Sequence, residues 1–112
     1  MTGNEYQQLA MRTNDRANTP RLTNAISNCH TITIAQLING VLGLTGEAGE
    51  VSDLVKKGIF HEKGIDLEHL KKELGDCAWY LAMICDACGF TLDDVMQTNI
   101  DKLRARYPKG FD

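Results

Sequence analysis

Between Pro20 and Pro108 the chain carries no proline, and apolar residues recur there at steps of three and four. These two facts together limit the fold more than any motif does. Proline breaks a helix interior, so its absence leaves the whole stretch free to be helical. Leu37, Val41, Leu44, Ala48, Val51 and Val55 form one series and predict a helix over about 32–57. Leu70, Leu74, Cys77, Leu81, Ile84 and Cys88 form a second, with Asp66 as its N-cap and Gly89 as its stop. Leu92, Val95, Met96, Ile100, Leu103 and Tyr107 form a third. Thr91 can cap it, Asp94 stands where a capping box places its acid, and it ends before Pro108.

The remaining segments are weaker. NEYQQLAMRTND reads as a short first helix, and RANTPRLTNAISNCHT as a loop signalled by Asn, Thr and Pro, whose length suits either a mobile segment or a cover over a site. TITI, residues 31–34, alternates only briefly, and no segment alternates convincingly as a strand. Gly40, Gly43, Gly46 and Gly49 fall at every third position of the second helix. Each weakens it by up to about 1 kcal/mol relative to Ala, so they signal a close helix contact, a kink or a break. Gly58 is the expected C-cap. The predicted fold is all-α, an antiparallel bundle of four to five helices in a single domain, residues 1–112.

Composition narrows the function classes. Hydrophobic residues make up 43% of 112, which suits a globular chain rather than a disordered one. The formal net charge is -3, which argues against a nucleic-acid binder. No stretch is apolar for long enough to span a membrane, and the polar N-terminus has no secretory core. A cytoplasmic protein is expected, with Cys29, Cys77, Cys85 and Cys88 as thiols.

Against this background the acids stand out. Glu47 and Glu50 lie three residues apart, about 60° on the helical wheel, at one edge of the second helix's apolar stripe. Glu73 and Asp76 repeat the spacing at the same edge of the third helix, and Tyr80 continues that edge. Antiparallel packing would bring the two acidic edges to one rim of the core. Four converging carboxylates repel one another, and a divalent cation removes that repulsion. Oxygen-only ligands favour Mg²⁺, with Mn²⁺ as the alternative, over zinc. Magnesium held this way completes its shell with water and substrate phosphates. On the last helix Asn99, Lys102 and Arg106 share one edge, where the two cations suit phosphate oxygens.

The words around these residues carry a resemblance. GLTGEAGEVSDLVKK, KELGDCAWYLA and NIDKLRARYPKGF place an ExxE (Glu47, Glu50) before an ExxD (Glu73, Asp76). The chain resembles the MazG-like nucleoside triphosphate pyrophosphohydrolases of the all-α NTP pyrophosphatase superfamily, from about Tyr6 to Phe111. The resemblance implies hydrolysis of an NTP or dNTP to the monophosphate and pyrophosphate, in nucleotide-pool house-cleaning. It implies Glu47, Glu50, Glu73 and Asp76 as catalytic residues holding the metal, one of them, such as Glu50, serving instead as general base. It implies substrate contacts from Asn99, Lys102 and Arg106, with Lys56 or Lys57 and Tyr80 beside them. It also implies a homodimer or homotetramer, which an exposed Trp79–Met83 patch would suit. Base choice is expected from residues outside the acids, in the Asp15 to Thr31 loop. Two enzymatic alternatives are a dUTPase-like enzyme and a phosphoribosyl-ATP pyrophosphohydrolase. A third is a non-catalytic, nucleotide-binding regulatory module.

Other groups are read as structural. Cys85-x-x-Cys88 has no second such pair and ends a core helix, so Cys77 and Cys88 are expected to fill the core. His30, His61 and His69 are expected on the surface. No ExxH follows either acidic pair, and the acids lie on helices rather than in a calcium loop. Those absences exclude a di-iron bundle and an EF-hand.

Overall fold

The computed structural model describes residues 1–111, apart from the Phe111 side chain. It divides into two compact units, Met1–His30 and a second that begins at Thr31. All five long elements are helices, as expected.

In the first unit α1 spans Gly3–Ala10 and continues into a single 3₁₀ turn, Met11–Thr13. A full capping box starts α1: the Thr2 hydroxyl accepts the Glu5 N–H at 3.1 Å, and the Glu5 carboxylate accepts the Thr2 N–H at 3.0 Å. The segment predicted as a long loop instead forms α2, Asn18–Asn28. Pro20 lies in its first turn, where a backbone N–H has no helical partner to lose. Asp15 accepts the Ala17 N–H at 3.1 Å just ahead of the helix and forms an ion pair with Arg21. That ion pair holds the Asp15 carboxyl below its usual range. The Asn and Thr content that suggested a loop therefore belongs to a polar helix.

The second unit is built on two long helices. α3 runs unbroken over Ile34–Phe60 and α4 over Leu67–Cys88. Asp66 caps α4 by accepting the His69 N–H at 3.1 Å, and Gly89, at φ +80°, ends it. The helices run antiparallel, because partners step backward along α4 as α3 advances. Thr33 N–H donates to the Ala87 carbonyl at 2.9 Å. Gln36 donates to the Met83 carbonyl at 3.0 Å and to Asp86 at 2.9 Å. Gly40 then meets Ile84, Gly43 meets Tyr80, and Gly58 meets Ile65.

The glycines of α3 mark a close contact rather than a break. A Cβ on Gly40 would lie 2.8 Å from Ile84 Cγ1, and one on Gly43 would collide with the Tyr80 ring. Gly46 and Gly49 face open space. Gly58 is not the C-cap: it is buried inside α3, and the helix continues to Phe60. The wheel also misjudged part of the interface. Val41, Leu74 and Leu81 are exposed, whereas Cys85 and Ala87 are buried; Cys77 and Cys88 are half-buried. With glycine at the contact, the helix axes approach along a narrower face than the apolar stripe suggests.

α5, Leu92–Arg106, starts at Thr91, whose hydroxyl accepts the Asp94 N–H at 3.1 Å. An extended segment, β1, follows at Pro108–Phe111. α5 touches α4 and β1 but not α3. Each of its residues is exposed, including the predicted stripe of Leu92, Val95, Met96, Ile100 and Leu103.

Candidate active site

The antiparallel crossing of α3 and α4 places Glu47 opposite Glu73 and Asp76. One carboxylate oxygen from each lies within 4.8 Å of the other two. Glu47 and Glu73 are half-buried and Asp76 is exposed. Burial pushes the Glu47 carboxyl above the usual glutamate range. A carboxyl-to-carboxyl hydrogen bond with Glu73, then the charges of Asp76, Glu73 and Glu50, push it the same way. Among the described residues this is the only group of three or more His, Cys, Asp or Glu side chains close enough to share a metal ion. Its donors are all oxygen, and its charges are crowded in a way that a hard divalent cation relieves. The residues therefore fit such an ion.

Glu50 lies about one turn further along α3, outside that triplet. It lines an adjoining cleft of about 410 Å³, whose wall also includes Lys57, Lys63, His69 and Glu73. Lys57 pairs with Asp53 at 2.8 Å. The pairing holds the Asp53 carboxyl below, and the Lys57 ammonium above, their usual ranges. His69, expected as a bland surface residue, lies in the first turn of α4, with Nε2 3.0 Å from Glu73 Oε1. The i, i+4 spacing from His69 to Glu73 was the available signal. Asp53 and Lys63 were also missed; Asp53 continues the Glu47–Glu50 series by three more residues.

The other predicted residues divide. Tyr80 lies over Gly43, one turn before Glu47, with its ring 5.0 Å from that of Trp79 in an edge-on arrangement. Lys57 is in the cleft wall, and Lys56, beside it on α3, is exposed. Asn99, Lys102 and Arg106 stand exposed on α5, and none of them lines the cleft. Trp79 is 62% exposed and shares a shallow hollow with Met83 and Gln36.

The acidic triplet, the cleft and α5 all fall within residues 36–111, which match the MazG nucleotide pyrophosphohydrolase domain. The chain belongs to the MazG nucleotide pyrophosphohydrolase family. It is also similar to the Gene 37 protein of Mycobacterium phage L5, 37% identical over 73 residues, which cover 62% of this chain and 64% of that protein. The match thus spans just under two thirds of that relative's length. No solved structure matches. Unit 1 lies ahead of the MazG match, whose first residue is Gln36 in the first turn of α3. No helix among the described residues is long and apolar enough to cross a membrane.

Proposed function

We propose that this MazG-family chain, acting as one functional domain over residues 1–112, hydrolyses nucleoside triphosphates, NTP or dNTP, to the monophosphate and pyrophosphate. The observation that supports this most is the convergence of Glu47, Glu73 and Asp76 from two helices onto one point. These three would hold Mg²⁺, or Mn²⁺ in its place. Bound there, the cation would neutralise phosphate charge and polarise the phosphate oxygens. Glu50 lies outside the triplet yet in the adjoining cleft, and it would accept the proton of the attacking water. The α–β anhydride bond breaks, the water oxygen remains on one product phosphate, and the proton leaves through Glu50. His69 holds the Glu73 carboxylate in place through its 3.0 Å contact.

A homodimer or homotetramer completes the reading. α5 exposes an apolar stripe and carries Asn99, Lys102 and Arg106, none of which lines its own chain's cleft. A second copy seated on α5 would cover the stripe and receive those polar groups. The setting is the cytoplasm, where nucleotides and Mg²⁺ are abundant, and the role is house-cleaning of the nucleotide pool.

The test is pyrophosphate release from a panel of NTPs and dNTPs with Mg²⁺, comparing wild type with Glu50→Gln. Metal-dependent release, lost in the variant while Mg²⁺ still raises its thermal midpoint, is the expected result. The substrate ranking would separate a general enzyme from a dUTPase-like or phosphoribosyl-ATP branch. Nucleotide binding without turnover would refute catalysis and leave a regulatory module. Release of orthophosphate alone would refute the assigned chemistry.

A further inference from the structure

The turn between α3 and α4 has an anchored backbone and carries an unpaired cation. Lys63 lies between two residues with left-handed backbone, Glu62 at φ +57° and Gly64 at φ +75°. The Gly64 N–H donates to the Gly58 carbonyl at 2.9 Å. The contact is tight: a Cβ on Gly58 would lie 2.9 Å from the Gly64 carbonyl oxygen and 2.8 Å from Ile65 Cγ1. The backbone of the turn is thereby seated on the last part of α3, and Lys63 lines the cleft that Glu50 and Glu73 also line.

The two lysines of this cleft differ in one respect. The Lys57 ammonium is held by Asp53 at 2.8 Å. Lys63 makes no hydrogen bond or ion pair among the described residues. An unpaired ammonium at the wall of an otherwise acidic cleft suits an anion brought in by the ligand. Glu50 and Lys57 are seven residues apart on α3, so the cleft runs about 10 Å along the helix away from the triplet. That length accommodates a phosphate chain leading from the acids towards the turn.

We infer that Lys63, carried on the α3–α4 turn, is a substrate-binding residue that holds the leaving pyrophosphate group. The inference rests on the pyrophosphohydrolase reading of the same cleft. Lys63 contributes one charge-assisted hydrogen bond to the β- or γ-phosphate oxygens, and the Gly58–Gly64 contact anchors the backbone from which its side chain extends.

Lys63→Ala and Lys63→Arg test it, with KM, inhibition by inorganic pyrophosphate and inhibition by the nucleoside monophosphate as readouts. Loss of a charge-assisted contact predicts KM and the pyrophosphate inhibition constant raised about tenfold in Lys63→Ala. Monophosphate inhibition and the thermal midpoint stay at wild-type values, and Lys63→Arg recovers most of the loss. Unchanged KM and pyrophosphate inhibition in Lys63→Ala would overturn the inference. So would an equal weakening of monophosphate inhibition, or a lowered thermal midpoint that accounts for the loss. If wild type turned over no nucleotide, the enzymatic reading would fail first. Calorimetric binding of pyrophosphate with Mg²⁺, compared between wild type and Lys63→Ala, then tests Lys63 alone, and equal affinities overturn its role.

Discussion

Two Gly→Ala substitutions in the same helix should have opposite signs. Gly46 lies inside α3 with no heavy atom within 4 Å of where a Cβ would stand. Replacing it with Ala restricts the unfolded chain and meets no clash, so it should stabilise by up to about 1 kcal/mol. Gly58 also lies inside α3 and would give the same helical gain. Its Cβ, however, would lie 2.9 Å from the Gly64 carbonyl oxygen and 3.1 Å from the carbonyl carbon. These are backbone atoms and cannot rotate aside as a side chain can, so the α3–α4 turn has to move. Overpacking of this kind costs about 1–3 kcal/mol. Weakening the Gly64 to Gly58 hydrogen bond adds about 1 kcal/mol. Set against the helical gain, Gly58→Ala should destabilise by about 1–3 kcal/mol, placing the two variants about 2–4 kcal/mol apart. At about 4–8 °C per kcal/mol for a chain of this size, thermal denaturation resolves that difference easily. Protomer concentration must be matched, because association shifts the midpoint. Gly58→Ala as stable as wild type would refute the close contact. Gly46→Ala below wild type would show that another surface covers that face of α3.

Two further predictions concern the acids and α5. The Glu47 carboxyl is raised in the fold, so its contribution to stability is present below its unfolded value and is lost as pH rises through the folded one. Chelator-treated wild type should therefore lose stability relative to Glu47→Gln as pH climbs from the ordinary glutamate range towards neutrality, read by thermal melts at several pH values. A parallel course for the two proteins would refute the crowding of Glu47 by its neighbours. Ile100→Asp, on the exposed stripe of α5, should shift sedimentation towards the monomer with helical circular dichroism retained; an unchanged sedimentation coefficient would remove α5 from any self-association surface.

The helices that were read correctly carry their own signals. Asp66 and Gly89 bracket α4, and Thr91 opens α5, because capping is chemistry between residues three or four apart. The paired acids were legible for a similar reason: a three-residue step fixes a shared helical edge whatever the partner helix does. α2 was misread because Asn, Thr and Pro suit a loop and a helix N-terminus equally, and only the Asp15–Arg21 ion pair and the first-turn position of Pro20 decide between them. Gly58 was misread as a cap because a glycine at a helix end and a glycine under a packed turn look the same in one dimension.

The sequence alone determined an all-helical chain, the edge on which each acidic pair lies and a family pattern that the MazG match supports. The tertiary structure decided which acids meet. Glu47, Glu73 and Asp76 converge while Glu50 lies beside the cleft, because the register of α3 on α4 is set by how closely Gly40 and Gly43 let Ile84 and Tyr80 approach. It also decided that Lys57 is paired and Lys63 is not, and that α5 makes no contact with α3 and its cations do not line the cleft. Helical periodicity is local and survives in one dimension; the depth to which two helices sink into each other depends on contacts between residues far apart in sequence, 44 positions for Gly40 and Ile84 and 37 for Gly43 and Tyr80.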